Sequence, residues 1–459
     1  MIQSLSDFQS PFFIGIAGTG MSALAQYLQG IGKNVSGSDR QFQFNKANDT
    51  QLKLEAERIQ CFAQDGSGIT SKTDLIVVST AIEDTVPEVI KAKELDIPII
   101  RRSALLALIA ESKKTIAVAG TSGKSTTAAM IFDVLSEAGY EPGIISGAGL
   151  TRLIKQGKIG NAAVGKGEWL VIEADESDGS IVQYNPEIGL LLNIDKDHQE
   201  IEQLISLFET FKKNTRHIFC VNQSHPLSKK ISARSSWNFS VDPSDDAAFH
   251  ASEYHQEEFH SNFHINRVPF SLNSPGKHNM ENALAAATIA ALIGIPLEVS
   301  AAALKKYEGI YRRFQVLGEK NGVWVVDDYA HNPAKCAAAI AACQPVSKKV
   351  IAWFQPHGYG PTKFLKNDFI HELVTILRPD DEIWMSEIYY AGGTAVKDIS
   401  SKDLTDVISE KGRRAYFVAD RENFLDTVRP HLSEGCVLLL MGARDPGLEN
   451  YTKSVWEKL

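Results

Sequence analysis

The stretch Ala117-Val118-Ala119-Gly120-Thr121-Ser122-Gly123-Lys124-Ser125-Thr126-Thr127 constrains this chain more than any other. It follows Lys113-Lys114-Thr115-Ile116, so an apolar strand runs into a Gly-Thr-Ser-Gly-Lys-Ser turn, and the turn opens a helical pattern from Thr126 to Ala138. Strand, glycine turn and helix in that order aim several backbone N–H groups at one point, at the positive end of a helix dipole, and so make a phosphate cradle. Lys124 adds a mobile charge for the outer phosphates, and Ser125 offers a hydroxyl to Mg²⁺. The usual loop opens with glycine where this chain has Val118, so Gly120 supplies the turn. Residues Gly120, Thr121, Ser122, Gly123, Lys124, Ser125 and Thr126 are therefore candidate nucleotide-binding residues.

The same grammar recurs along the chain, which divides into three blocks. The first, residues 1–111, opens with Phe12-Phe13-Ile14-Gly15-Ile16-Ala17-Gly18-Thr19-Gly20-Met21-Ser22. Further strand-like runs at Leu75–Ser79 and Ile97–Ile100 alternate with helical patterns, which predicts a parallel, Rossmann-like sheet. The glycines are spaced G-x-x-G-x-G rather than G-x-G-x-x-G, so the turn suits a nucleotide-like phosphate but not a dinucleotide such as NAD. Asp39 ends the next strand region, where an acid meets a ribose hydroxyl in such folds. The second block, 112–310, holds the phosphate loop and two further apolar strands. Trp169–Ile172 ends in Glu173-Ala174-Asp175-Glu176-Ser177-Asp178, and Ile188–Ile194 ends in Asp195-Lys196-Asp197-His198. Ligands bind at the carboxyl ends of parallel strands, so these three polar clusters should converge. Residues 214–272 are polar and weakly patterned, a meander of short strands. The third block, 311–459, has strands ending in Asp327-Asp328-Tyr329-Ala330-His331-Asn332-Pro333, in Gln355-Pro356-His357 and in Gly442-Ala443-Arg444-Asp445, another doubly wound pattern. The expected fold is thus α/β, with three domains that each hold a mainly parallel sheet.

The charges bound the function. A net charge of −9 argues against nucleic acid as a partner. No run of about 18 apolar residues is present, which argues against a membrane span, and Met1–Asp7 lacks a basic-then-apolar leader. Five scattered cysteines, Cys61, Cys220, Cys336, Cys343 and Cys436, show no CxxC spacing and read as reduced thiols of a cytoplasmic protein. Glu173, at a strand end beside the phosphate loop, can hold Mg²⁺ together with Ser125. Its neighbours Asp175, Glu176 and Asp178 form either a solvated acidic loop or a cluster that needs a cation among it. His198 reads as a second metal ligand or as an ordinary loop residue. Arg312-Arg313 is a bidentate phosphate clamp or a solvated hinge pair. His331 and His357 each follow a strand and mark a substrate face or cap a helix.

In order along the chain, Gly-Thr-Ser-Gly-Lys-Ser-Thr-Thr, Glu-Ala-Asp-Glu-Ser-Asp, Asn-Ile-Asp-Lys-Asp-His, Pro-Gly-Lys-His-Asn-Met-Glu-Asn-Ala, Arg-Arg-Phe-Gln and Asp-Asp-Tyr-Ala-His-Asn-Pro resemble the motifs of the Mur ligases of peptidoglycan synthesis. The resemblance covers essentially the whole chain. The N-terminal Gly-Ile-Ala-Gly-Thr-Gly-Met-Ser is most similar to the branch that takes UDP-N-acetylmuramate. That resemblance implies ATP-dependent amide formation through an acyl phosphate, with Mg²⁺ and a central ATPase-type domain.

Carried onto this sequence, the resemblance makes Lys124, Glu173 and His198 catalytic. Ser125, Glu173 and His198 become metal ligands. Asn279 and Asn282 would face the adenine, Arg313 the phosphates and Asp328 the ATP ribose. Gly18, Gly20, Met21 and Ser22 would line the UDP diphosphate and Asp39 the uridine end, with His331 and His357 nearest the incoming amine. Partners are then ATP, UDP-N-acetylmuramate and an amino acid, L-alanine by preference, for a monomer or homodimer. Alternatives are a tripeptide amine, L-alanyl-γ-D-glutamyl-meso-diaminopimelate, and a non-catalytic nucleotide-binding homologue. The chain departs from the alanine-adding pattern at Ser122, Ala330, Asn332 and Arg444. It also lacks the segment that tripeptide ligases carry after the acidic cluster. Lys212 and Lys213 are the candidates for the carbamylated lysine that some relatives carry near the second metal.

Overall fold

The computed structural model describes residues 2–42, 48–195, 200–390, 392 and 396–459. Its contacts divide the chain into two compact units: Met1–Ser252 with Ile265–Phe270 and Glu281–Ile310, and Glu253–His264 with Ser271–Met280 and Tyr311–Leu459.

The first unit begins with β1 (Pro11–Ile14), α1 (Thr19–Gly30), β2 (Ser36–Asp39), α2 (Asp49–Ala56), β3 (Gln60–Ala63), β4 (Leu75–Val78), α3 (Pro87–Glu94), β5 (Ile99–Arg101) and α4 (Arg102–Glu111). The strands order as β3-β2-β1-β4-β5, all parallel, with Phe12 opposite both Ser36 and Ile76. The order reverses at β1, so the glycine turn between β1 and α1 opens where such sheets leave a crevice. Phe12, Phe13 and Ile14 are wholly buried, as expected for a strand covered by helices on both faces.

A second sheet follows, built from β6 (Lys114–Ala119), α5 (Lys124–Glu137), β7 (Gly143–Ile145), α6 (Thr151–Ile154), β8 (Ala162–Ala163), β9 (Trp169–Glu173), β10 (Ile188–Leu191), α7 (Ile201–Asn214), β11 (Ile218–Val221) and α8 (Pro226–Ile231). The order is β11-β10-β6-β9-β7-β8, parallel except for β8. The phosphate-loop strand β6 lies at the centre, with β9 and β10 on either side. One apolar cluster runs through both sheets of this unit, from Phe13, Tyr27 and Leu105 to Leu170, Ile172 and Phe208. A buried polar link accompanies it: Asn161 donates to the carbonyl of Thr19 (2.7 Å) and to Ser22 Oγ (3.0 Å), and accepts from Gln26 (2.7 Å).

Short strands β12 (Phe239–Ser240), β13 (Phe249–Glu257), β14 (His260–Ile265) and β15 (Val268–Leu272) form a separate sheet in that order, followed by α9 (Lys277–Leu292) and α10 (Leu297–Lys305). The second unit is built on β16 (Gln315–Lys320), β17 (Val323–Asp328), α11 (Pro333–Cys343), β18 (Lys349–Gln355), β19 (Glu382–Met385), β20 (Arg414–Phe417) and β21 (Cys436–Gly442). Its order is β16-β17-β21-β18-β19-β20, with only β16 antiparallel. No helix among the described residues is long and apolar enough to cross a membrane.

Candidate active site

The loop between β6 and α5 turns through two glycines in the left-handed region, Gly120 (φ +133°) and Gly123 (φ +84°). At Gly123 the neighbours leave no room for a side chain: a Cβ would lie 2.5 Å from Asn282 Oδ1. Asn282 in turn accepts a hydrogen bond from Thr127 Oγ1 (3.1 Å), which ties the start of α9 to the first turn of α5. On the other side Asn193, just beyond β10, clamps the loop. Its Oδ1 accepts from Ser122 N (2.8 Å) and Thr121 Oγ1 (3.0 Å), and its amide donates to the Ser122 carbonyl (3.2 Å). Asp195 N donates to Thr121 Oγ1 (2.9 Å), and the Asp195 carboxylate meets His225 Nε2 at 3.1 Å.

Glu173 closes β9 beside the loop. Its carboxylate accepts from Ser125 Oγ (3.0 Å), Ser146 Oγ (2.6 Å) and Gly147 N (2.7 Å). Lys124 donates to the Gly120 carbonyl (2.7 Å) and to Glu176 Oε2 (2.6 Å), with Asp175 at 3.6 Å. Burial alone would pull the Lys124 ammonium down, but Glu176, Asp175 and Glu173 outweigh it and hold its pKa above the ordinary lysine value. The strand ends of β6, β9 and β10 thus converge as the sequence led one to expect. His198 lies outside the described residues, and so does the metal role read for it. Lys212 directs its amine to the carbonyls of Ile231 (2.7 Å) and Ser232 (3.2 Å), where it caps α8.

At the first glycine turn, Gly18 is the residue before α1, and the Gly15 and Ile16 amides donate to the Ser38 carbonyl. Met21 and Ser22 are buried in the first turns of α1. The side chain of Arg102 overlies Gly20, where a Cβ would come within 3.1 Å of Arg102 Cδ. Asp39 is buried and braces the turn, accepting from Ala17 N (3.0 Å) and Gln41 N (2.9 Å).

In the second unit, Asn279 is buried and donates to the Pro275 carbonyl (2.8 Å). Asp328 ends β17 and accepts from Phe314 N (2.7 Å) and Ala330 N (2.6 Å), while burial pushes its carboxyl up to about 6. Arg312 forks onto Asp327 (2.9 and 3.3 Å), and Arg313 lies over the Tyr329 ring at 4.8 Å. The rings of His331 and His357 are 5.7 Å apart, so the two strand-end histidines meet. Arg444 holds a left-handed φ of +62° and donates its amide to Tyr329 Oη (3.3 Å). Arg312 (φ +56°) and Phe314 (φ +46°) share that backbone region, and Arg312 also lies over the Tyr329 ring at 5.6 Å.

Family models match the chain in three consecutive stretches: the Mur ligase family catalytic domain over residues 12–114, the Mur ligase middle domain over 118–290 and the Mur ligase glutamate ligase domain over 312–444. A UDP-N-acetylmuramate–L-alanine ligase of Carboxydothermus hydrogenoformans is 34% identical over 446 residues, covering 94% of this chain and 93% of that protein. The chain belongs to the Mur ligase family. A second relative of the same description, from Geotalea daltonii, is 34% identical over 94% of each chain. Among solved structures, a UDP-N-acetylmuramate–alanine ligase of Thermotoga maritima matches with a TM-score of 0.79 at 25% identity over 98% of both chains. A murein peptide ligase of Psychrobacter arcticus shares the fold, with a TM-score of 0.67 at 20% identity over 98% of both.

As a Mur ligase the chain is an ATP-dependent acid–amino acid ligase. The donor set beside the loop suits Mg²⁺. Ser125 Oγ and Glu173 supply hard oxygens, and Mg²⁺ is held by one or two protein oxygens, with phosphates and water completing its shell. Two residues of this site, Ser146 and Arg102, carry no local sequence signal. Glu176 and Asn193 lie inside the strand-end motifs, but their partners, Lys124 and the Thr121–Ser122 turn, are not readable from them.

Proposed function

We propose that this Mur ligase joins UDP-N-acetylmuramate to L-alanine in the cytoplasm, in the synthesis of peptidoglycan precursors, with three functional domains at residues 1–111, 112–310 and 311–459. Five unpaired thiols, four of them buried, suit a reducing compartment. The observation that carries the reading is the meeting of Ser125 and Glu173 across β6 and β9 at the mouth of the phosphate loop.

A carboxylate is a poor acyl donor because its oxygen leaves badly, so the muramoyl carboxylate attacks the γ-phosphate, ADP leaves as the bond to the β-phosphate oxygen breaks, and the amine then displaces phosphate from the acyl phosphate and gives up a proton to form the amide. This chemistry asks for positioned charge more than for a nucleophilic side chain. The backbone amides of Gly120–Ser125 and the α5 N-terminus receive the phosphates, and Lys124 neutralises charge on the transferred group. Ser125 and Glu173 would hold Mg²⁺, which would supply positive charge against the phosphates. Ser146 and Gly147 fix the Glu173 carboxylate so that it faces the loop. The α1 turn with Gly18, Gly20, Met21 and Ser22 receives the UDP diphosphate. Arg313, Asp328, Asn279 and Asn282 serve ATP, and His331 and His357 the amine. His198 is proposed as the ligand of a second ion. The acidic cluster runs directly into the short 3₁₀ turn Ser180–Gln183, with no inserted segment, which favours a single amino acid over a tripeptide.

The test is phosphate release from ATP with UDP-N-acetylmuramate and a panel of L-alanine, L-serine, glycine and the tripeptide. Release is expected only when all three substrates are present, to be greatest with L-alanine, and to vanish in Lys124→Ala. Release without an amine, or without UDP-N-acetylmuramate, would sink the proposal, and preference for the tripeptide would reassign the amine.

A further inference from the structure

The loop after β9 touches both nucleotide sites proposed above. At one end Glu176, whose side chain is 5% exposed, holds Lys124 at 2.6 Å. At the other end Asp178 pairs with Arg102 at 3.0 Å, and Arg102 is the residue whose side chain overlies Gly20 in the first turn of α1. The two ends are joined stiffly. Gly179 N donates to the Glu176 carbonyl (3.0 Å), Ser180 N to Asp178 Oδ1 (2.9 Å) and Ser177 N to Asp175 Oδ1 (3.2 Å). Displacing Asp178 therefore drags Glu176 with it. There is room for such a movement, since a cavity of about 620 Å³ lies between Ser177, Asp178 and Gly179 on one side and Glu202, Gln203 and Ser206 of α7 on the other.

We propose that the loop Asp175–Asp178 is a latch with two ends, in which Glu176 occupies the loop lysine as an internal anion and is released when a diphosphate at the α1 turn draws Arg102 from Asp178. Lys124 has three N–H donors. In this structure they face the Gly120 carbonyl, Glu176 and Asp175. A γ-phosphate arriving there meets a carboxylate already in place, and two anions do not share one ammonium without cost. A diphosphate is a bidentate match for a guanidinium, and a better one than a single aspartate held through one contact. Once Arg102 turns to it, Asp178 loses its partner and the turn is free to carry Glu176 away. The consequence is positive coupling between the two nucleotides, equal in both directions because it is a binding free energy.

This inference rests on the ATP and UDP assignments above, and the experiment separates the two. Binding of a non-hydrolysable ATP analogue with Mg²⁺ is titrated calorimetrically into the full chain, alone and with saturating UDP or uridine. UDP is expected to tighten the analogue by about fivefold or more, within the usual range of such coupling; uridine, which lacks the diphosphate, is expected to change it less than about twofold on the same scale. Asp178→Asn and Glu176→Gln should each bind the analogue more tightly without UDP and respond little to its addition. The affinity of UDP should rise by the same factor when the analogue is present. Equal analogue affinity with and without UDP, an equal effect of uridine, or undiminished coupling in Asp178→Asn would overturn the latch. Failure of the analogue to bind at all would overturn the reading of the loop itself.

Discussion

Replacing Gly123 by alanine tests the geometry of the phosphate loop most directly. Two costs are readable from the structure. The residue sits at φ +84°, where a Cβ strains the backbone by about 1 kcal/mol. The same Cβ would lie 2.5 Å from Asn282 Oδ1, so the amide must swing away, and its buried hydrogen bond with Thr127 is lost at about 1 kcal/mol. Leu192 Cδ1, at 3.3 Å, can give by a few tenths of an ångström and adds little. The sum, about 2 kcal/mol, corresponds to roughly a thirtyfold loss of protection. Native-state hydrogen exchange of the β6 and α5 amides reads this locally, which suits a chain too large for a single unfolding transition. In an Asn282→Ala background the oxygen that the new Cβ strikes is gone, and the Thr127 bond with it. Gly123→Ala should then cost only the backbone strain, about fivefold in protection. Equal losses in the two backgrounds would refute the contact, and no loss in either would refute the left-handed turn.

Two other outcomes follow from neighbouring contacts. Ser146→Ala removes the shortest hydrogen bond to Glu173, so the Mg²⁺ concentration for half-maximal phosphate release should rise on the order of tenfold, as for other residues that orient a metal ligand; an unchanged Mg²⁺ requirement would count against Glu173 as that ligand. Asp133, with a side chain 13% exposed, has its carboxyl raised to about 6 by burial, which outweighs Arg152 at 2.9 Å. The folded state then holds its proton more tightly than the unfolded one, so this group's contribution to stability is full below the unfolded value and is lost as pH rises through about 6. Asp133→Asn should therefore gain about 3 kcal/mol of stability relative to the parent between acid and neutral pH, and a difference that stays constant across that window would refute it.

Much of the fold is legible locally. Runs such as Phe12–Ile14, Ile116–Ala119 and Val437–Leu440 are apolar on both faces, which only a covered parallel strand tolerates, and the glycine turns after the first two mark where a helix must begin. The legibility weakens where burial outlasts pairing. Leu192 and Ile194 are buried, so the sequence reads a strand to Ile194, but the strand ends at Leu191, after which Asn193 turns its side chain to the phosphate loop. The converse holds in the polar region after residue 214, where Ile218–Val221 is a buried edge strand of the second sheet, a four-residue signal lost among serines and histidines.

The sequence by itself determined the phosphate loop, the acid that ends β9 and the order of the domains' motifs, because each is a local pattern of strand, turn and helix. Tertiary structure alone decided which groups those patterns meet. Lys124 faces Glu176, 52 residues away; Thr127 meets Asn282 across 155; Ser22 meets Asn161 across 139. Parallel sheets cause this separation, since each neighbouring strand needs a crossover connection, and periodicity records which face of an element is buried but not what covers it.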